Sequence, residues 1–198
     1  MGGDSAPERL REPSDRGRTG KLVVISGPSG AGKTSVCRAL RTDSRVRFSV
    51  SATTRARRSG EVEGVDYHFL TPEAFTEAVE RGEFLEWATY NGHRYGTLRA
   101  PMEAALAQGY FFVLEIEVQG TRQLRARNVP GDYVFIVPPS LEVLRERLEQ
   151  RGQNGHDEIE ARLRIARDEL LARDLYDHVV VNEDLDVTIA EVRRRIGL

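Results

Sequence analysis

The most constraining stretch of this chain lies near its start. There the apolar run Lys21-Leu-Val-Val-Ile-Ser26 leads straight into Gly27-Pro-Ser-Gly-Ala-Gly-Lys-Thr34. A short, continuous, β-branched run suits a strand buried on both faces of a parallel sheet. The loop that follows fits G-x-x-x-x-G-K-[ST]. In that pattern glycines let backbone N–H groups turn inward around a polyphosphate. Lys33 reaches the β- and γ-phosphates, and the Thr34 hydroxyl can ligate Mg²⁺. A helix predicted over 35–41 points its positive N-terminal end at the same anion. Cys37 falls inside that helix and reads as a packing residue.

The rest of the chain supports an α/β fold. Apolar runs recur at 110–116, 133–137 and 179–181, with helical segments between them. Ser140 is a good N-cap after Pro138-Pro139, and Leu141, Leu144 and Leu148 repeat at helical spacing. Ile159, Leu163, Ala166 and Leu170 form a second helical stripe. Strands alternating with helices imply a parallel sheet with right-handed crossovers. The middle, about 47 to 99, differs. Short alternating pieces (47–50, 66–69, 84–87) sit among glycine-containing turns, with one helix starting at Thr71-Pro72. This stretch is expected to be a small mixed-sheet insertion.

Composition narrows the function classes. At 198 residues one domain is the default, and 39% hydrophobic with 30% charged residues suits a soluble globular protein. A net charge of -2 argues against a bulk nucleic-acid binder. One cysteine excludes an internal disulfide framework and a Cys-based zinc site. No run approaches the roughly 18 apolar residues that a membrane span needs. Residues 1–20 are rich in Gly, Pro, Ser, Asp and Arg, read as a flexible tail without a secretory signal. A cytoplasmic enzyme or binding domain is the expectation. Arg accounts for 27 of the 29 basic residues. A GC-rich genome would spread Arg over the whole surface, whereas phosphate chemistry favours Arg at particular places.

Arg55, Arg57 and Arg58 stand amid Ser and Thr hydroxyls, with Tyr67 beyond. Such a cluster can seat a phosphate dianion through charge-assisted forks, although alone it reads more readily as a solvated basic loop. Taken with its neighbours it says more. The strings GPSGAGKT, FSVSATTRARRSGEVEGVDYHF, GEFLEWATYNGHRYGT, VLEIEVQG, PPSLEVLRERLEQRG, ARL and VVVNEDL resemble the guanylate kinase family in order and spacing, from residue 21 to the C-terminus.

That resemblance implies a three-layer α/β/α phosphate-loop kinase core with a parallel sheet. The core would span about 21–46, 100–139 and 170–198, with an inserted GMP-binding region over about 47–99 and a helical lid over about 140–169. It implies transfer of the γ-phosphoryl group from ATP to GMP, and dGMP, with Mg²⁺. Neither nucleic acid nor membrane is an expected partner, and a homo-oligomer is left open. ATP would meet Gly27, Pro28, Ser29, Gly30, Ala31, Gly32, Lys33 and Thr34, with Arg147 on the lid and Asn182 after the last core strand. The GMP phosphate would meet Arg55, Arg58, Tyr67 and Tyr95. Glu86 would take the guanine edge, and Ser51 and Thr97 its O6. Guanine offers N1–H and N2–H₂ as adjacent donors, which a carboxylate accepts as a pair, and O6 as an acceptor for hydroxyls.

The catalytic set this implies is Lys33, Arg58, Arg151 and Arg162. Arg147 and Arg151 lie four apart and share a helix face. In phosphoryl transfer, positioning and cationic stabilisation do most of the work, and no general base is needed. Glu115 and Glu117 follow the third core strand, where many members of the family carry Glu-Ile-Asp. Both are assigned to the GMP side, facing guanine or the water around Mg²⁺. His68, His93, His156 and His178 show no metal-ligand spacing, and Trp87 reads as core. Two other readings stand beside this one. A ribose bisphosphate kinase of the same fold would need no guanine pocket. A non-catalytic protein-interaction module would have lost the phosphate loop.

Overall fold

The computed structural model of the chain describes residues 20–150 and 156–198. The tail expected over 1–20 therefore lies outside the described residues, apart from Gly20. Its elements run β1 (Lys21–Ser26), α1 (Lys33–Leu40), β2 (Val46–Phe48), β3 (Ser51–Thr53), β4 (His68–Phe69), α2 (Pro72–Glu80), β5 (Phe84–Tyr90) and β6 (His93–Leu98). They continue with α3 (Arg99–Ala107), β7 (Phe111–Glu115), α4 (Val118–Ala126), β8 (Asp132–Val137), α5 (Leu141–Gln150), α6 (His156–Leu170), β9 (His178–Val181) and α7 (Leu185–Ile196).

Five strands form a parallel sheet in the order β2-β7-β1-β8-β9. β1 lies in the middle, with Val23 opposite Val113 on one side and Asp132 on the other. Its side chains are buried on both faces, as its continuous apolar run requires. Val23, Ile25, Val113, Val134 and Ile136 pack with Val36, Cys37 and Leu40 of α1 and Val192 and Ile196 of α7. On the other face Leu22, Val24, Phe112, Leu114, Tyr133 and Phe135 pack with Met102 and Ala105 of α3 and Val118 and Leu124 of α4. Period-two alternation thus divides one sheet between two helical layers, giving the three-layer α/β/α architecture.

A second, mixed sheet has the order β4-β3-β6-β5, with β3 parallel to β4 and the other pairs antiparallel. Its own core is Ala52, Phe75, Ala78 and Phe84, with the Phe75 and Phe84 rings stacked at 4.4 Å. α2 starts as expected. The Thr71 side chain accepts from the Ala74 N–H, and Pro72 takes the first helical position. Ser140 likewise accepts from the Val143 N–H at the start of α5. α5 and α6 bury Leu144, Leu148, Ile159, Leu163 and Ala166 against each other.

Two local expectations change. α1 begins at Lys33 rather than Ser35, because Gly32 is left-handed (φ 103°) and ends the loop, so Lys33 and Thr34 already belong to the helix. The segment 47–50, expected in the inserted sheet, contributes β2 to the parallel sheet, where Phe48 is opposite Val113. β2 is an edge strand covered on one face only: Val46 is buried and Arg47 exposed. That alternation is what made it resemble a strand of a one-sided sheet.

Candidate active site

The loop between β1 and α1 has no room for side chains where it turns. Gly27 has φ 147°, and a Cβ there would lie 2.0 Å from the Ile136 carbonyl oxygen. A Cβ on Gly32 would lie 2.0 Å from Asn182 Nδ2. Both glycines are therefore demanded by conformation and by contact. Lys33 Nζ donates to the Gly27 carbonyl and to the Pro28 carbonyl (3.0 Å), so its ammonium is held inside the loop. Burial lowers the Lys33 pKa, opposed by the carboxylates of Glu169, Glu115 and Glu117. Thr34, in the first turn of α1, donates its hydroxyl to Glu115 Oε1 at 3.0 Å.

A cavity of about 490 Å³ opens over this loop, bordered by Gly27, Ser29, Gly30, Gly32, Lys33 and Thr34. Its far wall is α6, through Glu158, Ala161, Arg162, Ile165 and Glu169. Arg162 Nη2 donates to Glu158 Oε1 at 2.8 Å, so this arginine is steered by a carboxylate one turn away. Burial raises the Glu169 carboxyl to about 7, with Lys33 opposing and Glu117 adding to the shift.

A second cavity, about 360 Å³, lies against the inserted sheet and is lined by Ser51, Tyr67, Glu86, Tyr95, Glu115 and Glu117 among others. Strand register explains why three of the predicted base contacts meet. Ser51 on β3 is opposite Thr97 on β6, and Thr97 is opposite Glu86 on β5. One row across three strands therefore carries two hydroxyls and a carboxylate. Glu86 is 7% exposed and accepts the Thr97 hydroxyl at 2.7 Å. Burial raises its pKa, while the hydrogen bonds of Thr97 and the charge of Arg127 pull it down. Gly120 backs the same carboxylate: a Cβ there would come within 2.9 Å of Glu86 Oε2. Tyr67 and Tyr95 stand edge to face, 6.0 Å between centroids.

The arginines expected to seat the phosphate sit in the loop between β3 and β4. Arg55 pairs with Glu61 (2.7 Å), and Arg58 is exposed, its backbone N–H donating to Glu61 Oε2 at 2.7 Å. A third cavity, about 360 Å³, shares Gly30, Gly32 and Ser35 with the first and is also lined by Arg147, Asn182 and neighbours. Arg147 Nη2 donates to the Asn182 carbonyl at 2.8 Å, and Asn182 Nδ2 donates to the Ala31 carbonyl at 2.7 Å. Thr188 Oγ1 donates to Asn182 Oδ1 at 3.1 Å. The Asn182 carboxamide thus braces the loop from behind. Arg151 and the segment 152–155 lie outside the described residues.

Glu117 follows β7 but not as a strand residue: it is the N-cap of α4, exposed, and borders both the first and the second cavity. Tyr90 does the same from the inserted sheet. It immediately precedes the Asn91-Gly92 turn, whose positive φ angles (48° and 79°) fit a tight hairpin. The Asn-Gly pair was the available signal for that hairpin. Sequence reasoning also missed Glu61 and Glu169. Glu61 had a local signal, an acid three residues after Arg58. Glu169 had none, since it reads as a polar flank of the α6 stripe.

The guanylate kinase family model matches residues 19–197. The chain is 48% identical over 179 residues to the guanylate kinase of Rhodopseudomonas palustris, covering 89% of this chain and 81% of that one. It is 41% identical over 174 residues to the guanylate kinase of Carboxydothermus hydrogenoformans, covering 87% and 85%. In three dimensions it is similar to the crystal structure of guanylate kinase from Anaplasma phagocytophilum, with a TM-score of 0.68 and 33% identity over 89% of this chain and 84% of that one. A phosphate loop and a buried carboxylate row on one α/β/α frame, matched over nearly the whole length in sequence and in shape, make this chain a member of the guanylate kinase family.

Proposed function

We propose that this chain transfers the γ-phosphoryl group of ATP to GMP, giving ADP and GDP. The observation that carries this reading is the register row Ser51–Thr97–Glu86: Ser51 and Glu86 line a cavity that adjoins the phosphate-loop cavity through Tyr90 and Glu117, and buried Thr97 lies between them, donating to Glu86. A buried carboxylate wants paired donors, and guanine N1–H and N2–H₂ supply them, while the hydroxyls serve O6. Adenine has neither feature and would leave Glu86 unsatisfied, a mismatch that can discriminate by roughly 10⁴. The base and the phosphate are what the assigned residues read, so dGMP is an acceptor too.

In this reading ATP lies with its phosphates on the loop from Gly27 to Thr34. Lys33 leaves the Gly27 and Pro28 carbonyls for the β- and γ-phosphates, and burial makes that charge count for more. Arg58 steadies the acceptor phosphate. Arg162, with Arg147 and Arg151 of the same lid, closes on the charge that spreads over the transferred group. The acceptor is a phosphate oxygen, already ionised, so no residue has to remove a proton. Closing α6 over the cavity excludes water, which would otherwise compete as acceptor.

The residues around Thr34 fit Mg²⁺. They offer oxygen ligands only, with the Thr34 hydroxyl 3.0 Å from the Glu115 carboxylate. Among the described residues no group of three or more His, Cys, Asp or Glu is placed to hold a metal ion. Thr34 would hold Mg²⁺, with Glu115 beside its water shell. When bound it neutralises charge on the β- and γ-oxygens. No described helix is long and apolar enough to cross a membrane, and this reading puts the reaction in the cytoplasm, where both nucleotides are at hand.

A coupled assay of ADP production tests the assignment, using ATP and Mg²⁺ with GMP, dGMP, AMP or a ribose bisphosphate. Turnover is expected with GMP and dGMP. No turnover with GMP would overturn it. Turnover with the ribose bisphosphate alone would support the rival kinase, which the buried Glu86 disfavours. Absence of any turnover would support the non-catalytic module, which the intact Lys33 and Thr34 disfavour.

A further inference from the structure

Arg55 and Glu61 meet in the loop that follows β3, and their geometry goes beyond a surface ion pair. Arg55 gives Nη1 to Glu61 Oε2 at 3.1 Å and Nη2 to Glu61 Oε1 at 2.7 Å. Nη1 also donates to the Ala56 carbonyl at 2.8 Å. Glu61 Oε2 accepts in addition the Arg58 backbone N–H at 2.7 Å. Both side chains are shielded, 12% and 19% exposed. The guanidinium lies 5.3 Å from the Tyr67 ring centroid and beside the Tyr95 hydroxyl, and both tyrosines line the second cavity.

A guanidinium carries five N–H donors in one rigid plane. Three go to Glu61 and Ala56. The other two, on Nε and Nη2, run parallel along the adjacent edge. That edge matches two oxygens of a phosphate group. The carboxylate therefore takes one edge of the fork and leaves the remaining donors to the neighbouring Tyr95 hydroxyl and to an anion. It also binds the backbone of Arg58, the other arginine assigned to the same anion.

We propose that Glu61 is a positioning residue for the acceptor site: it locks the Arg55 plane and the Arg58 backbone so that the Nε/Nη2 edge is ready for the phosphate of GMP. The opposite role would be a stand-in anion that occupies the fork until GMP displaces it. The donor count favours positioning, because a stand-in would cover the phosphate edge, and the tie to the Arg58 backbone serves no purpose in a group that must leave. This inference rests on the acceptor site described under the proposed function.

The test uses the full chain and the variants Glu61→Gln and Glu61→Ala. Steady-state kinetics with GMP and ATP are combined with equilibrium binding of GMP and of guanosine, which has the base but no phosphate. Positioning predicts that KM for GMP rises about tenfold in Glu61→Gln, with KM for ATP and guanosine affinity unchanged. Retained guanosine binding also reports a folded base pocket. A KM for GMP that is unchanged or lowered would overturn the proposal, a lowered value being the mark of a stand-in. Equal losses for guanosine and GMP would overturn it too, since Glu61 would then support the whole pocket. Turnover of GMP by the unaltered chain tests the assigned activity separately.

Discussion

Burying a carboxylate is costly unless its charge is matched. Glu86 bears that cost at 7% exposure, with the Thr97 hydroxyl on one oxygen and Gly120 pressed against the other. Glu86→Gln exchanges a paired acceptor for a group that also donates. It should cost roughly 1–3 kcal/mol of GMP transition-state binding and narrow the preference for GMP over AMP. Kinetics with both nucleotides measure this, and unchanged selectivity would mean that guanine binds elsewhere. Gly120→Ala tests the back wall. Its Cβ would stand 2.9 Å from Oε2 and push the carboxylate forward, so kcat/KM for GMP should fall by about tenfold or more, with a smaller effect on ATP. Glu86 was legible from its string, E-W-A eleven residues before the Thr of G-T. The role of Gly120 was not, because a residue 34 positions away meets Glu86 only through packing.

At the scale of elements, the inserted sheet is fastened to the core through α4. Gln123 accepts the Trp87 N–H at 3.2 Å and donates to the Trp87 carbonyl at 2.6 Å. Arg127 donates to the Leu85 carbonyl at 2.6 Å. These bonds hold the strand that carries Glu86 against the helix that carries Gly120, so the two walls of the base pocket are set by one contact. Gln123→Ala should destabilise the fold by about 1–3 kcal/mol, since it leaves two partly buried backbone groups without their partner. Urea unfolding measures it, and a shift of a few tenths of a kcal/mol or less would show that water replaces the side chain. Elements with a local cause were readable: Thr71-Pro72 and Ser140 start helices because their side chains or rings suit those positions. β2 was readable as a strand but not as to its sheet. Alternation reports how many faces are covered, not which neighbour does the covering.

At the scale of the molecule, α6 brings Glu169 to the cavity over the phosphate loop, 136 residues beyond Lys33. Burial lifts that carboxyl from its ordinary 4.5 to about 7. The folded chain therefore holds the proton more tightly than the unfolded chain does. The stability this supplies is full below about pH 4.5 and is lost as pH rises through about 7. Glu169→Gln stays neutral, so the wild type should lose Tm relative to this variant across that window. Parallel Tm curves at every pH would show that the folded chain holds this proton no more tightly than the unfolded chain. Nucleotide phosphates bring negative charge toward the same cavity, so bound ATP should sharpen the difference.

The sequence by itself determined the phosphate loop and the parallel α/β core, and it singled out the side chains proposed to read the base. Each of these rests on contiguous residues whose local conformations and spacing allow few alternatives. Lys33 is one of two lysines in the chain and stands where the loop needs a flexible point charge. Arg55, Arg58, Arg147 and Arg162 are the arginines proposed to fork phosphate, while most other arginines follow no such pattern. Only the tertiary structure decided which acids face those cations. Glu61 turns out to hold Arg55, Glu117 to leave its strand for a helix start between two cavities, and Glu169 to face Lys33 from α6. Electrostatic partners are chosen by distance in space, and burial then sets how strongly they are felt. Neither quantity is carried by the local pattern from which secondary structure is read.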